Sequence, residues 1–498
     1  MGIGYSRGVA VVGVGGHLVD VEVDSGNGLP ATHIVGAGDA ALHEARERVR
    51  AAIVNSGYPY PPGKVVVSLS PASLRKTGSG FDLAIVAAVL SSRGIIPSSA
   101  LTGVALVGEL ALDGRVRPVR GVLPAVLAAR DAGLSAVLVS SGNLAEARLV
   151  GGIASIGLRT LEDLRDYCLG LELPEYPVPE PDGTNSNCAV ADLADVRGQP
   201  EARRAVEIAA AGGHNLLLLG PPGTGKTMLA RRLPGLLPDL SERDALSTTA
   251  VHSVSGALGE GRSPLVSRPP FVAPHHTASM NALVGGGHGL ARPGAVSLAH
   301  NGVLFLDEAP EFAARTLDAL RTPLEEGAVR IARRDGVTEF PARFQLVMAA
   351  NECPCGAAEA ARCSCPSALR RRYMAKLSGP LRDRLDICVR TSPVGVRLLS
   401  DTEQESTATV RERVHRAIDC ATARRIAGHE GDTAAKVEDS LSRTAMTPLK
   451  RGLVRGAISA RGARRCLRLA WTLADIDGST SPTQHHVLEA MTLRGDEI

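Results

Sequence analysis

The residues best suited to chemistry in this chain lie in a glycine-rich stretch, GPPGTGKT, at 220–227. Its spacing fits G-x-x-x-x-G-K-[ST], a loop whose backbone N–H groups surround nucleotide phosphates. Lys226 could reach the β- and γ-phosphates, and the Thr227 hydroxyl could bind Mg²⁺. The pattern predicts a site for ATP and Mg²⁺ formed by Gly220, Pro221, Pro222, Gly223, Thr224, Gly225, Lys226 and Thr227.

Two further motifs place polar groups directly after apolar runs. In GVLFLDEAPEF, Asp307 would hold Mg²⁺ and Glu308 would polarise an attacking water. An acidic pair that merely caps a strand is the alternative. FQLVMAAN ends at Asn351, which could contact the γ-phosphate and the water, although asparagine at a strand end is often only a turn residue. Together with Lys226, Glu308 and Asn351 are the predicted catalytic residues of ATP hydrolysis.

The elements that must position these groups follow from the pattern of apolar residues, which divides the chain into three regions. Residues 1–170 alternate short apolar runs with helical patterns, which predicts an α/β domain. Residues 171–190 are rich in proline and acidic residues and are a predicted linker. The α/β alternation returns over 191–395, and helical patterns dominate 396–498. The predicted fold class is therefore α/β with a helical C-terminal domain.

Composition limits the cellular context of the protein. No apolar run approaches the length of a membrane span, and the N-terminus lacks the pattern of a signal peptide. Nine cysteines, an odd number, do not suggest a secreted disulfide framework. A net charge of +3 neither demands nor excludes nucleic acid as a partner. We expect a cytoplasmic protein without a membrane segment.

Four of the cysteines are close together in NECPCGAAEAARCSCP, directly after the predicted γ-phosphate contact. Their thiolates could enclose a tetrahedral structural Zn²⁺, although C-x-C spacing is tighter than the usual C-x-x-C. A labile disulfide pair or free thiols are the alternatives. The candidate zinc ligands are Cys353, Cys355, Cys363 and Cys365.

Several longer sequence motifs, taken together, resemble those of one protein family. PHHTASMNALVGGG, PGAVSLAHNGVLFLDEAPEF, ANECPCG and LSGPLRDRLDI are similar to the YifB/ComM family of bacterial magnesium-chelatase-like AAA+ ATPases. The resemblance extends over nearly the whole chain. It implies an AAA+ core with a C-terminal helical lid domain, and it makes Asn351 the residue called sensor 1.

The resemblance also implies two catalytic arginines. Arg384, in LSGPLRDRLDI, resembles an arginine finger that reaches the nucleotide of a neighbouring subunit, with Arg382 close enough to be confused with it. Arg461, in ISARGARRCLRLA, resembles sensor 2. Positive charge near the γ-phosphate stabilises charge that develops in the transition state. A finger that acts on a neighbour implies a ring, so we predict a homo-hexamer.

The first region resembles the proteolytic domain of Lon proteases, in which a serine in K-D-G-P-S-A-G is activated by a lysine in G-G-L-K. The corresponding motifs here are KTGSGFD and RGVLP, so the nucleophile position falls on Gly80 and the lysine position on Leu123. A shift by one residue would use Ser79 but would still lack its lysine. A hydroxyl without a base is a poor nucleophile, so we predict a domain that does not cleave peptides.

For activity, the resemblance implies a ring-shaped DNA motor that acts as a helicase and in branch migration during recombination of incoming DNA, as in natural transformation. EEGAVRIARRDGVTEFPARF predicts a hairpin. Near its tip, Arg330, Arg333 and Arg334 could contact DNA phosphates. The alternative is that these arginines face water or pair with Glu325, Glu326 and Asp335. A chelatase-type remodeller of a protein or metal-insertion partner is the competing function.

Overall fold

The computed structural model describes most of the chain: residues 2–36, 40–74, 76, 78–176, 191–258, 265–287, 291–333, 336–357, 363–393, 404–426 and 443–495. Of the predicted linker, residues 177–190 lie outside these ranges, and so does Arg334. The predicted domain boundaries stay predictions.

The first region contains two main sheets. The strands are β1 (Gly2–Val12), β2 (Gly15–Ser25), β3 (Ala31–Val35), β4 (Lys64–Ser70), β5 (Val104–Val107), β6 (Glu109–Leu110), β7 (Val116–Arg117), β8 (Ala136–Ser140) and β9 (Ala154–Leu158). The helices are α1 (Ala40–Asn55), α2 (Asp82–Ser92), α3 (Val122–Asp131), α4 (Leu144–Ala147) and α5 (Leu161–Cys168).

One sheet of this region has the order β1-β2-β4-β3, with only β3 and β4 parallel to each other, and the other is a parallel sheet with the order β5-β8-β9. Helix α2, DLAIVAAVLSS, is buried at every residue, as its nearly continuous apolar sequence requires. The alternation of strands and helices confirms the predicted α/β character.

The second region is built around one parallel sheet. Its strands are β10 (Leu216–Leu219), β11 (Phe271–Val272), β12 (Gly285–Gly286), β13 (Arg292–Pro293), β14 (Gly302–Leu306), β15 (Ala328–Arg333), β16 (Gly336–Pro341), β17 (Phe344–Ala350) and β18 (Ile387–Arg390). The helices are α6 (Pro200–Gly212), α7 (Lys226–Arg232), α8 (Glu242–Ser255), α9 (Met280–Val284), α10 (Ala295–Leu298), α11 (Ala314–Asp318), α12 (Arg321–Glu326), α13 (Ser367–Met374) and α14 (Gly379–Arg382).

The parallel sheet has the order β11-β14-β17-β10-β18, with β10 in its interior. Both faces are covered, which explains why β10 and β14 are almost uniformly apolar. Side chains alternate between the faces: Leu216 and Leu218 pack in a cluster with α6 and the C-terminal helices, whereas Leu217 and Leu219 pack on the opposite side with Phe312.

The C-terminal region is helical in its described part, as predicted. It comprises α15 (Thr407–Ile426), α16 (Arg443–Val454), α17 (Ala460–Ile476) and α18 (Gln484–Arg494). Ion pairs join it to α6: Arg413 Nε lies 2.8 Å from Glu207 Oε1, and Arg204 Nη2 lies 3.0 Å from Asp477 Oδ1. Among the helices that the structure describes, none is long and apolar enough to cross a membrane.

The first region packs directly against the second through α3 and α8. An apolar cluster contains Leu123 and Val126 of α3 together with Ala250 of α8. Inside this contact, Glu146 Oε1 accepts the N–H of Leu123 at 2.8 Å and the hydroxyl of Ser253 on α8. Burial raises the pKa of the Glu146 carboxyl. A buried carboxylate with two donors thus links the two regions.

Candidate functional site

The glycine-rich loop begins where β10 ends, and the neighbouring strands fix its position. Leu219 is in register with Ala350 of β17, and the N–H of Gly220 donates to the Ala350 carbonyl at 3.1 Å. A Cβ at position 220 would lie 2.3 Å from Thr391 Oγ1, so only glycine fits this close approach. The parallel register therefore places Asn351, which directly follows β17 (hereafter the sensor strand), beside the loop.

Lys226 lies between the start of the glycine-rich loop and the residue that follows β17. Its Nζ donates to the carbonyl oxygens of Gly220 at 2.7 Å and Pro221 at 2.8 Å, and to Asn351 Oδ1 at 3.2 Å. Burial lowers the pKa of Lys226, while the nearby carboxylates of Asp307 and Glu308 oppose that shift. The loop thus holds a cation at its centre, as a phosphate site requires.

Two oxygen ligands suited to Mg²⁺ lie side by side. Thr227 Oγ1 donates to Asp307 Oδ2 at 2.7 Å, although the two residues come from different elements, α7 and the end of β14. Hydroxyl and carboxylate oxygens are the ligands that Mg²⁺ prefers in nucleotide sites. The residues present therefore fit the metal that the motifs predicted.

Glu308 has an unusual backbone conformation. Its φ of 50° and ψ of 45° lie in the left-handed region, which residues other than glycine rarely occupy. Its N–H donates to Asp307 Oδ1 at 3.0 Å, and a 3-10 turn, Ala309–Glu311, follows directly. Backbone strain of this kind is concentrated at functional sites. The turn leaves the carboxylate about half exposed, at 53%.

His276, which sequence reasoning missed, contacts this carboxylate. Its Nδ1 lies 3.3 Å from Glu308 Oε2. The contact arises because β11 and β14 are parallel neighbours, so the segments that follow them meet at the same edge of the sheet. The sequence signal that could have identified His276 was the motif PHHT, which comes shortly after the apolar residues of β11.

Lys226, Thr227, Asp307, Glu308 and Asn351 line one cavity of about 390 Å³. It lies at the carboxyl ends of the parallel strands, where open α/β sheets bind ligands. The cavity is lined by Pro222, Gly223, Thr224, Gly225, Lys226, Thr227, Met228, Asp307, Glu308, Ala349, Ala350 and Asn351. The structure thus brings most of the predicted nucleotide and catalytic residues together, and their roles stay predictions.

The predicted catalytic arginines are not among the residues that line this cavity. Arg384 is buried, its side chain 7% exposed; its guanidinium pairs with Glu325, and its Nε has no acceptor among the described residues. Arg461 is exposed, with Nη1 3.2 Å from Asp383 Oδ2. The alternative finger, Arg382, is exposed. Arg384 could reach a neighbouring subunit only after leaving Glu325.

The predicted arginine hairpin is confirmed as an antiparallel pair of β15 and β16, with Arg333 opposite Gly336 at its end. Arg333 is exposed there, and Arg334 lies outside the described residues. Arg330 is occupied by two carboxylates: Nη1 is 2.6 Å from Glu326 Oε2, and Nε is 2.8 Å from Glu339 Oε2. The sequence left open whether these arginines contact DNA or pair with nearby carboxylates, and Arg330 does pair with one of the carboxylates named there, Glu326. Exposed ion pairs of this kind are weak.

In the first region, the positions that correspond to the Lon catalytic pair lack its chemistry. A Cβ at Gly80 would meet no atom within 4 Å, so this position has room for a side chain but bears none. Leu123 is fully buried. Ser79 donates its hydroxyl to Glu109, and Lys76 donates its amino group to the Leu69 carbonyl at 3.1 Å and to the Pro71 carbonyl. The interactions of Ser79 are thus with a carboxylate, and those of Lys76 with backbone oxygens.

The four clustered cysteines converge in space, with all four sulfur atoms within 4.8 Å of one another. They follow the sensor strand directly, as the sequence indicated.

A glycine-rich phosphate loop beside a cavity at the carboxyl edge of a parallel sheet is the arrangement of a P-loop nucleotide-binding domain. In agreement with this class, a family model described as magnesium chelatase, subunit ChlI, matches residues 192–398. Models described as subunit ChlI of Mg-chelatase and as magnesium chelatase, subunit ChlI C-terminal, match residues 21–143 and 404–494.

Curated relatives match over nearly the full length. An uncharacterized protein of Mycobacterium tuberculosis is 52% identical, covering 99% of both chains. The protein YifB of Escherichia coli is 41% identical over 97% of this chain and 96% of its own, and the competence protein ComM of Haemophilus influenzae is 40% identical over 99% and 97%. The chain belongs to the YifB/ComM family of magnesium-chelatase-like AAA+ ATPases.

A shorter match concerns Lon proteases. The Lon protease of Mycolicibacterium smegmatis is 30% identical over 148 residues, 28% of this chain and 18% of that protein. This partial similarity agrees with the Lon-like character predicted for the first region.

Proposed function

We propose that this chain is an ATPase that assembles into homo-hexameric rings in the cytoplasm and uses ATP hydrolysis to move DNA, as a helicase or in branch migration. The observation that carries the proposal is the single cavity that contains Lys226, Asp307, Glu308 and Asn351. Membership of an ATPase family supports the same activity.

Each of these side chains has a proposed role in ATP hydrolysis. Lys226 neutralises charge on the β- and γ-phosphates, and Thr227 with Asp307 would hold Mg²⁺, which offsets phosphate charge when bound. Glu308 orients a water molecule and accepts its proton, and Asn351 contacts the γ-phosphate and that water. A finger from the neighbouring subunit, Arg384, and Arg461 would add positive charge in the transition state.

The DNA part of the proposal is supported by the hairpin of β15 and β16. Arg333 is exposed at its end, where a guanidinium could bind a phosphate without reading sequence. Between Leu441 and Ala474 the chain has eight lysines and arginines and no acidic residue, which adds weak support. The relative from Haemophilus influenzae carries the name competence protein, which agrees with a role in natural transformation.

The second candidate, an ATP-dependent remodeller of a protein or metal-insertion partner, is favoured by a different feature of the hairpin. Arg330 is paired with two carboxylates, and Val337 next to the tip is 63% exposed. Because carboxylates already pair with Arg330, this part of the hairpin offers less positive charge to a phosphate chain, which favours a protein partner over DNA.

The experiment that separates the two functions is ATP hydrolysis by the purified protein with single-stranded, duplex and four-way-junction DNA. We expect DNA to stimulate hydrolysis, and we expect Arg333→Ala combined with Arg334→Ala to weaken DNA binding. For each phosphate contact that is lost, the plot of log affinity against log salt should become less steep by about 0.7–0.9. Fluorescence anisotropy at several salt concentrations measures this slope.

Arg93→Ala is the matched control, because Arg93 is also exposed but lies at the end of α2, in the first region. It should leave the affinity and the salt slope unchanged. If no form of DNA stimulates hydrolysis, the remodeller becomes the better account, and unchanged DNA binding by the double variant would remove the hairpin from the DNA interface.

His276→Ala is expected to raise hydrolysis in the absence of DNA by up to about fivefold, the equivalent of ~1 kcal/mol for one partly exposed side-chain contact. The reason is that His276 engages the Glu308 carboxylate at 3.3 Å and so competes with the water that Glu308 must bind. Steady-state phosphate release at saturating ATP measures the effect.

His275→Ala is the control for this variant. The His275 ring lies beside that of His276, at 4.1 Å between centroids, but its Nδ1 is paired with Thr277 Oγ1 at 2.8 Å. A slower rather than a faster His276 variant would show that the histidine positions Glu308 for catalysis instead of restraining it.

A further inference from the structure

The four cysteine sulfurs after the sensor strand have the spacing of one metal site. Cys353 Sγ lies 3.3 Å from Cys355 Sγ and 3.2 Å from Cys363 Sγ, and Cys355 Sγ lies 3.6 Å from Cys363 Sγ. Cys365 Sγ is within 4.8 Å of all three. Four sulfurs around a zinc ion at Zn–S distances of about 2.3 Å would be about 3.8 Å apart. The observed triangle is close to one face of such a tetrahedron.

The same spacing does not favour two disulfides. A disulfide would bring two sulfurs to about 2.05 Å and would leave them paired, whereas Cys353 is nearly equidistant from two partners. Thiolates are soft ligands, and a tetrahedral set of four sulfurs is typical of zinc or of an iron centre. Because four protein ligands fill the coordination shell, a zinc ion here would be structural.

The surroundings of the cluster supply charge that such a site needs. Four thiolates and one Zn²⁺ have a net charge of about −2. Arg370 and Arg371 of α13 line a cavity of about 380 Å³ together with Cys353 and Cys363. Two positively charged residues beside the same cavity are compatible with that negative charge.

The cluster also contacts the nucleotide loop. Gly356, between the two cysteine pairs, has φ of 64°, and a Cβ there would lie 2.9 Å from Pro222 Cγ. The cavity that contains Cys353 and Cys363 is also lined by Pro221 and Asn351. The cysteine loop therefore packs against the glycine-rich loop and begins two residues after Asn351.

We propose that Cys353, Cys355, Cys363 and Cys365 bind one structural zinc ion, which holds the loop after β17 against the nucleotide loop and so fixes the position of Asn351. The zinc site does not depend on the proposed ATPase function. The effect on Asn351 rests on the proposed ATPase function, and the two are tested by different measurements.

The metal is tested by mass spectrometry of the purified full-length protein for bound metals. We expect about one zinc per chain in the wild type and less than a tenth of that in Cys353→Ser combined with Cys363→Ser. Cys420→Ser, which changes an exposed cysteine of α15, should keep its zinc. A zinc-free wild type that also takes up none on dialysis against zinc, or a double variant that retains it, would overturn the site.

A second measurement does not depend on the folding of a variant. Wild-type protein loaded with Co²⁺ in place of the native metal should show the visible bands of tetrahedral cobalt and a thiolate charge-transfer band. Octahedral cobalt bands, or none, would contradict a four-sulfur site.

The link to Asn351 is tested by ATP binding and hydrolysis in the zinc-free double variant. We expect nucleotide affinity to change little and turnover to fall on the order of tenfold to a hundredfold, because misplacing a catalytic group by about 1 Å has effects of that size. Unchanged turnover in a zinc-free protein would refute the link to Asn351 while leaving the zinc assignment in place.

Discussion

Glu308→Gln is expected to bind ATP with nearly wild-type affinity and to hydrolyse it at least a hundredfold more slowly. Loss of a general base typically costs 10²–10⁴-fold in rate, and glutamine cannot accept the proton of the attacking water. Glutamine is the right replacement because residue 308 has a left-handed backbone, and a change of side-chain shape would alter more than the carboxylate. Single-turnover hydrolysis and binding of a fluorescent ATP analogue separate the two effects.

Glu311→Gln is the matched control, because Glu311 ends the same 3-10 turn and interacts with Tyr373 rather than with the cavity. It should hydrolyse ATP at close to the wild-type rate. Near-normal turnover by the Glu308 variant would remove Glu308 from its assigned role and leave the polarisation of water to another group.

Arg384→Ala is expected to lower hydrolysis by about 10³-fold, the lower range for arginine fingers, without preventing ATP binding. The structure shows Arg384 buried and paired with Glu325, so a finger at this position requires that assembly or nucleotide draws it away from that carboxylate. Mixing tests action between subunits. If the proposed rings form, mixed rings of Arg384→Ala and Glu308→Gln subunits would contain interfaces with an intact Glu308 on one side and an intact Arg384 on the other. These would be roughly a quarter of all interfaces if mixing is random.

Recovery of activity on mixing two inactive proteins would establish the shared site. Because Arg384 is buried, the thermal unfolding of the variant must be measured beside its activity. Arg382→Ala is the informative comparison, since Arg382 lies two residues away and is exposed. If that variant loses hydrolysis and the Arg384 variant does not, Arg382 is the finger, and Arg384 serves the fold through Glu325.

The parts of the site that the sequence predicted depend on local patterns. The glycine-rich loop is a contiguous motif, and Asp307, Glu308 and Asn351 each follow an apolar strand. Because neighbouring parallel strands end at the same edge of a sheet, three strand ends sufficed to predict one cavity. The hairpin was equally local, since its two strands, β15 and β16, lie close together in the chain.

The parts that the sequence did not predict depend on contacts between distant segments. Glu325 precedes Arg384 by 59 residues, and no periodicity indicates that the two side chains pair. The same holds for His276 and Glu308, which meet only because of the strand order. Arg330 was expected either at DNA or in an ion pair, and only the register of β15 with β16 shows Glu339 opposite it.

The position of Leu123 has a consequence for access to the first region. In Lon-type proteases the corresponding place holds the lysine that activates the nucleophile, whereas here Leu123 and Ala250 share one apolar cluster. A peptide could approach this place only if α3 and α8 came apart. The place that corresponds to the catalytic lysine of a Lon-type protease is here an apolar interface with α8. Because α8 belongs to the nucleotide-binding region, any displacement of α8 would act directly on α3 and on the Lon-like region.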